Sequence, residues 1–194
     1  TDIILMNDFL EAIERIKAWR GDRPFFMVGR RLNIDIKEPL EFGPGWEKAF
    51  RERLRKEGQR HGMAGVDYWV FPRDFDFNPP PFNIGRVGMD SWLIYKARSS
   101  KIPVIDATEA VTIAHQNHGY PMRKTESYWI ETKRNLKLAG ALNVMTMRDA
   151  DWLLNPGGIK RPPFPRRIFP ILSLLYPWRI FLALQRKLLK KKLA

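Results

Sequence analysis

Residues 85–96, which read GRVGMDSWLIYK, place an acidic side chain at the start of a predicted helix. Two glycines flank a short basic loop, Asp90 follows at once, and an apolar helical run begins behind it. Residues 78–83, NPPPFN, are too rich in proline for a helix interior or a central strand. We therefore predict a stiff loop that presents Asp90 to a cleft. The alternative is that Asp90 is only a helix N-cap, because Asp is a favoured capping residue.

The composition is that of a globular protein. The 194 residues are 44% hydrophobic and 28% charged, which is ordinary for a folded domain. The chain has no cysteine, so disulfides, thiolate zinc sites and cysteine nucleophiles are excluded. No secretory signal opens the sequence, and residues 1–6 start within a predicted buried strand. We therefore expect a cytoplasmic protein and a further segment upstream of Thr1.

The net charge of +13 is concentrated at the C-terminus. Residues 160–194 contain ten Lys and Arg and no acid, which leaves only +3 for the rest of the chain. A body of nearly balanced charge argues against nucleic acid as a partner of that body. Any electrostatic partner is therefore expected to bind the tail.

Apolar strand-like runs alternate with helical periodicity along residues 1–158. The predicted strands are 3–6, 25–28, 66–71, 102–106 and 111–114. The predicted helices are 8–21, 46–57, 90–99, 127–139 and 146–154. Strands that alternate with helices predict an α/β fold with a mostly parallel sheet flanked by helices.

Polar segments follow several of these predicted strands, and we expect them to meet at one edge of the sheet. Ligands of open parallel sheets bind outside the carboxyl ends of the strands. Arg30 and Arg31 end one strand, and their guanidinium groups suit a diphosphate unless they are only solvated surface. His115 and His118 end another, where neutral imidazoles could bind a divalent metal. The alternative for the histidines is hydrogen bonding to loop backbone.

The order of these segments resembles the family-2-like glycosyltransferases of the GT-A, nucleotide-diphospho-sugar transferase type. Six segments carry the resemblance: 1–5 (TDIIL), 27–31 (MVGRR), 67–72 (DYWVFP), 84–93 (IGRVGMDSWL), 102–108 (IPVIDAT) and 115–118 (HQNH). It covers roughly residues 1–155, and 67–120 is its most specific part. The resemblance implies that residues 1–158 are the C-terminal part of a GT-A-like domain. It further implies that the half that binds the nucleotide base lies outside this chain, so that the fragment alone would be inactive.

The resemblance implies roles for individual residues. Asp2 would be the last acid of an Asp-x-Asp-like motif that holds Mn²⁺ or Mg²⁺ against the donor diphosphate. His115 or His118 would be the histidine on the metal side. Asp90 would be the catalytic base that deprotonates the acceptor hydroxyl, as in inverting members. Met89 departs from the commoner pattern, in which an acid precedes the base.

The remaining candidates are residues that would contact the substrates. These are Arg30, Arg31, Gly85, Arg86, Gly88 and Trp92. Trp92 also lies at helical spacing behind Asp90 and is expected to anchor that helix. The implied donor is a nucleotide-diphosphate sugar, and the acceptor is a hydroxyl of a glycan, a lipid or another molecule. The donor sugar and the stereochemical outcome are not encoded in any motif of the sequence.

Residues 159–194 form the second predicted unit, a Pro-rich linker and a basic amphipathic helical tail. The uncharged run 168–178 has eleven residues, whereas a spanning helix needs about 20. From residue 177 onward, aromatic and leucine side chains share one helical face and basic side chains the other. This pattern is typical of an interfacial helix on anionic lipid, here the inner face of a membrane. The alternatives are a helix packed on a partner, and a non-catalytic module that binds membrane or nucleic acid through the tail.

Overall fold

The structure, a computed structural model, describes residues 2–119, 121–140 and 143–163. Four α-helices are present in this part of the chain: α1 (Asp8–Arg20), α2 (Trp46–Glu57), α3 (Met89–Ser99) and α4 (Glu126–Ala139). The strands are β1 (Ile3–Leu5), β2 (Phe26–Val28), β3 (Leu32–Ile34), β4 (Gln59–Arg60), β5 (Trp69–Val70), β6 (Val104–Asp106), β7 (Ile113–Gln116), β8 (Trp152–Asn155) and β9 (Gly158–Lys160). The predicted α/β class is confirmed. The predicted helix over 46–57 has the same bounds in the structure.

The strands form two mixed sheets. The four-stranded sheet has the order β1-β7-β3-β4, and the five-stranded sheet has the order β5-β2-β6-β8-β9. Only the pairs β3/β7, β2/β6 and β6/β8 are parallel; β1, β4, β5 and β9 pair antiparallel with their neighbours. The prediction of a mostly parallel sheet is therefore wrong. The spacing of apolar residues identifies a strand, but it does not predict whether a short edge strand pairs parallel or antiparallel with its neighbour.

Both faces of the five-stranded sheet are covered. Along β2, Phe26 faces a core cluster that includes Trp92 of α3, whereas Met27 faces a second cluster that includes Ile16 of α1. Val104 of β6 joins the first cluster, and its neighbour Ile105 joins the second. This alternation explains why these strands are continuously apolar. A third cluster packs α2 on the four-stranded sheet.

The chain around residues 146–160 differs from its prediction. The capping box between Thr146 and Asp149 forms as expected, but it encloses only a short 3₁₀ helix, Met147–Asp149. Residues 152–155 form β8 instead of continuing a helix, because Trp152 pairs with Ile105 in the sheet. A tertiary pairing thus overrides the local helical pattern. The hairpin of β8 and β9 also crosses the predicted domain boundary between 158 and 159.

No helix in the described ranges combines the length and apolarity that crossing a bilayer requires. The predicted amphipathic helix within 168–194, together with its anionic membrane surface, lies outside the described residues.

Candidate active site

Two histidines and one carboxylate meet where β1 and β7 pair. The antiparallel register places Ile3 opposite His115, and the backbone N–H of Gln116 donates to the carbonyl oxygen of Asp2 at 2.9 Å. The Oδ2 atom of Asp2 lies 3.2 Å from Nε2 of His115 and 3.0 Å from Nε2 of His118. One ligand atom from each of the three residues lies within 4.8 Å of the others. Strand register therefore assembles the three predicted metal residues.

One side chain of the cluster is buried and the other two are exposed. The side chain of His115 is 4% exposed, whereas those of Asp2 and His118 are 47% and 42% exposed. Burial and the nearby positive charge of Arg31 lower the pKa of His115, so this imidazole is neutral at pH 7. Burial acts to raise the pKa of Asp2, but its backbone hydrogen bond and the two imidazoles hold that pKa below its usual value. A neutral imidazole and an ionised carboxylate are the protonation states in which metals are bound.

The donor atoms fit a divalent transition-metal ion. Both histidines turn Nε2 toward Asp2, so the cluster offers two nitrogens and one carboxylate and remains open on its exposed side. The resemblance implies one histidine on the metal side, whereas in the structure both histidines turn Nε2 toward Asp2. The loop-backbone alternative holds for the other ring atom of His118, whose Nδ1 lies 3.1 Å from the carbonyl oxygen of Gly119. Imidazole ligands favour Mn²⁺ or a later transition metal over Mg²⁺, which prefers oxygen.

A buried ion pair lies beside this cluster. The guanidinium of Arg31 pairs through Nη1 with Oδ1 of Asp67, and its Nε donates to Oδ1 of Asn33 at 2.7 Å. The side chains of Arg31 and Asp67 are only 12% and 13% exposed. The Arg31 guanidinium is thus held by protein acceptors, although it was expected to contact a diphosphate. Its charge is nevertheless close enough to His115 to lower the pKa of that imidazole.

Asp90 is the second residue of α3, and it is not the cap of that helix. Gly88 occupies the N-cap position with φ 121°, and no side chain caps the helix. The N-cap alternative for Asp90 is therefore wrong. Burial raises the pKa of Asp90 to about 6, and the negative charge of Asp67 acts in the same direction. The ion pair of Arg31 with Asp67 thus acts electrostatically on both His115 and Asp90.

The loop before Asp90 is held on α4. The Nε of Arg86 donates to Oε2 of Glu131 at 2.6 Å, and its guanidinium lies 4.8 Å from the ring centroid of Tyr128. The Nδ2 of Asn135 donates to the carbonyl of Asn83 at 2.9 Å. These contacts make Arg86 a residue that positions the loop. Gly85, the other glycine of this predicted substrate loop, has φ 74° and is exposed.

Two further predicted substrate residues have structural partners. The backbone N–H of Arg30 donates to Oγ1 of Thr108 at 3.1 Å, while its buried Nε finds no acceptor in the described part of the chain. Trp92 is 7% exposed and packs edge-on against Phe82 with ring centroids 5.5 Å apart. Trp92 therefore fits the predicted anchoring role and has little surface left for a ligand.

Asp67 is the site residue that sequence reasoning did not include. It lies between the metal cluster and Asp90, and its charge influences His115 and Asp90 alike. The only signal in the sequence is an acid in front of the aromatic run 68–71, and acids at such positions are common. Its pairing with Arg31, 36 residues away, depends on the tertiary fold.

Neither a family model, nor a curated protein, nor a solved structure matches this chain. The fold and the site geometry alone therefore define the class of the protein. It is a mixed α/β protein with two mixed sheets, a carboxylate–imidazole cluster at the end of β7 and a half-buried acid at the start of α3.

Proposed function

We propose that this chain carries the metal site and the catalytic base of a GT-A-like glycosyltransferase. The reaction is transfer of a sugar from a nucleotide-diphosphate donor to an acceptor hydroxyl. One observation carries the proposal: Asp2, His115 and His118 converge within 4.8 Å, as a metal site requires. The resemblance of six sequence segments to that family, and the charge of Asp67, which acts on both His115 and Asp90, support it further.

The metal side of the site uses three residues. Asp2 contributes a carboxylate oxygen, and His115 and His118 contribute Nε2. A divalent cation bound there supplies positive charge for a leaving diphosphate. The exposed side of the cluster, formed by Asp2 and His118, is where phosphate oxygens of the donor have access. We expect Mn²⁺ to be preferred to Mg²⁺, because two of the three protein ligands are nitrogens.

Asp90 acts on the acceptor side. Its pKa of about 6 leaves the carboxylate ionised at pH 7 but more basic than an ordinary aspartate. As the acceptor oxygen forms its bond to the anomeric carbon, the bond from that carbon to the diphosphate oxygen breaks. Asp90 takes the proton of the hydroxyl, and the electron pair leaves with the diphosphate.

Metal binding is tested on the 194-residue chain by titration with Mn²⁺, followed by electron paramagnetic resonance of the free ion. We expect one site, weakened at least about tenfold in Asp2→Asn and in His118→Gln, since each removes one of three ligands. Both side chains are exposed, so their replacement does not disturb the core. His61→Gln, which changes the third histidine of the chain, is the matched control. Equal binding by all four proteins would exclude the site.

Catalysis is tested by release of nucleoside diphosphate from a panel of donors, with Mn²⁺ present. We expect Asp90→Asn to lower kcat at least about a hundredfold, as loss of a general base does. Mn²⁺ binding should be retained in this variant, because Asp90 is not in the cluster. Asp74→Asn, an exposed acid, is the control. Full activity of Asp90→Asn would remove Asp90 as the base and leave the metal site intact.

The cytoplasmic location and the attachment to an anionic membrane through 168–194 remain predictions. The same applies to the non-catalytic alternative, an interaction module that acts through that tail. If the chain neither binds Mn²⁺ nor releases nucleoside diphosphate, this alternative is the one to pursue.

A further inference from the structure

A basic cavity lies on the five-stranded sheet, where two of its parallel strands begin. The Asp2–His115–His118 cluster lies on the four-stranded sheet, whereas this cavity of about 540 Å³ lies where β6 and β8 begin. The residues that line it include four cations, one acid and one aromatic side chain: Arg20, Arg98, Lys101, Arg161, Asp151 and Trp152. The C-terminal ends of α1 and α3 reach the same place.

The cavity contains more cations than its single acid can pair. Asp151 is the one acidic residue that lines it, and Asp151 is already engaged. Its Oδ1 accepts from Nη2 of Arg98 at 3.0 Å, and its Oδ2 accepts from the backbone N–H of Val104 at 2.9 Å. Residues 160–194 contain no acid, so the tail brings no carboxylate side chain to the cavity. The described residues thus leave Arg20, Lys101 and Arg161 without a carboxylate partner.

Arg20 shows the cost of this arrangement. Its Nη2 donates to the carbonyl oxygen of Pro24 at 3.1 Å, but its buried Nε has no acceptor among the described residues. Burial and the neighbouring charge of Arg23 lower the pKa of Arg20. A buried donor without an acceptor is unfavourable, and an anion in the cavity would add the missing negative charge.

The helix dipole explains only part of the basic lining. Arg20 and Arg98 lie in the last turns of α1 and α3, where a cation is favoured by the helix carboxyl end. Lys101 and Arg161 lie outside the helices, so this explanation does not reach them. The Arg161 guanidinium lies 3.9 Å from the ring centroid of Trp152, which orients the fork at the cavity.

We propose that this cavity binds a phosphate group, carried either by a soluble compound or by the headgroup of an anionic lipid. Guanidinium forks and a lysine around one cavity match the geometry and charge of phosphate oxygens. The volume exceeds that of one phosphate, so part of the molecule that bears it fits as well. The proposal does not depend on the glycosyltransferase assignment, since the two sites share no residue.

Two cavity variants and one control test the proposal in the 194-residue chain. Lys101→Gln combined with Arg161→Gln removes two exposed cations, together with the contact of Arg161 with Trp152, and Arg20→Gln removes the half-buried one. The control, Arg55→Gln with Lys56→Gln, removes two exposed charges from α2, where Arg55 is 75% exposed. All variants keep the basic tail, so its contribution cancels. If circular dichroism shows that Arg20→Gln does not fold, the double variant Lys101→Gln with Arg161→Gln tests the proposal by itself.

The soluble arm measures binding of inorganic phosphate and pyrophosphate by calorimetry, with EDTA present to keep metals away from the histidine cluster. The lipid arm measures flotation with phosphatidylcholine vesicles that contain phosphatidic acid, compared with phosphatidylcholine alone, at one ionic strength. We expect the cavity variants to bind at least about fivefold more weakly than the control in one of the two arms. A loss in the soluble arm identifies a soluble phosphate, and a loss confined to vesicles identifies a lipid headgroup. If the cavity variants bind both probes as the control does, or the unmodified chain binds neither, the proposal is wrong.

Discussion

Asp90 and Asp67 show how single side chains set the electrostatics of the candidate site. Both are acids in a partly desolvated region, and among the described residues Asp67 has a cationic partner, Arg31, whereas no ion pair of Asp90 is found. Burial raises the pKa of Asp90 to about 6, and the negative charge of Asp67 acts in the same direction. The ion-paired acid therefore helps to make its neighbour a carboxyl that titrates near pH 6.

The first prediction concerns Asp90→Asn and pH. Below about pH 4 the carboxyl is protonated in the folded and the unfolded chain, so it has no effect on stability. Between about pH 4 and pH 6 the unfolded chain loses this proton first, and the folded protein loses stability as pH rises. We expect the unfolding free energy of the unmodified protein to fall by about 1–3 kcal/mol relative to Asp90→Asn across this range.

Urea denaturation of both proteins at several pH values measures this difference, since all other titrating groups cancel. Asp74→Asn, an exposed acid, is the control and should follow the unmodified protein. Parallel stability profiles for Asp90→Asn and the unmodified protein would show that Asp90 has an ordinary pKa.

The second prediction concerns Asp67→Asn. It leaves the guanidinium of Arg31 buried beside an uncharged amide, and we expect a loss of about 3 kcal/mol of unfolding free energy. Removing the negative charge of Asp67 should also lower the pKa of Asp90, so the pH dependence above should shrink. Glu57→Gln, which breaks an exposed pair with Arg53, is the control and should cost less than about 1 kcal/mol. Equal losses in the two variants would contradict the buried pair.

At the scale of elements, β2 depends on a close approach at its carboxyl end. A Cβ atom on Gly29 would lie 2.2 Å from the hydroxyl oxygen of Tyr68. Tyr68 is 7% exposed and packs edge-on against Phe9, with ring centroids 5.4 Å apart, so its ring cannot retreat easily. Glycine at this position therefore sets how closely the segment before β5 packs on β2.

The third prediction is that Gly29→Ala destabilises the protein by about 1–3 kcal/mol through overpacking. Tyr68→Phe should restore part of this loss in the double variant, because the hydroxyl is the nearest clashing atom and has no hydrogen-bond partner in the described structure. Gly62→Ala is the control, since no atom lies within 4 Å of its Cβ position. A double-mutant cycle by chemical denaturation measures the coupling. Additive effects of Gly29→Ala and Tyr68→Phe would show that the two positions do not touch.

At the scale of the whole molecule, the Asp2–His115–His118 cluster and the basic cavity lie on different sheets. The cluster joins β1 to β7 in the four-stranded sheet, and the cavity lies at the start of β6 and β8 in the other sheet. No residue is common to the two sites. Sites that share no contacts usually behave additively.

The fourth prediction follows from this separation. Mn²⁺ at about ten times its dissociation constant should raise the unfolding free energy by about 1.4 kcal/mol, because it binds only the folded chain. Lys101→Gln with Arg161→Gln should leave this gain unchanged, and Asp2→Asn, with binding at least about tenfold weaker, should reduce it to about 0.4 kcal/mol or less. Thermal denaturation with and without Mn²⁺ measures all three. A smaller gain in the cavity variant would show that the cluster and the cavity are coupled.

The sequence by itself determined the α/β class, the four α-helices and the approximate positions of the strands β1, β2, β5, β6 and β7. Helix 46–57 and the buried run at β2 follow from spacing of apolar residues, which is a local property. The end of a predicted strand points to His115 and His118, and the family resemblance adds Asp2. What only the tertiary structure decided is pairing between distant segments.

That pairing includes the two mixed sheets, the strand at 152–155, the ion pair of Arg31 with Asp67, and the cavity lined by residues from both ends of the chain. The physical reason is the distance along the chain over which each effect acts. Periodicity acts over a few residues, whereas strand direction, desolvation and the proximity of charges depend on register and on what covers each face. Asp90 is an example of both. The sequence predicts its place at the start of a helix, whereas its raised pKa depends on burial by the surrounding fold.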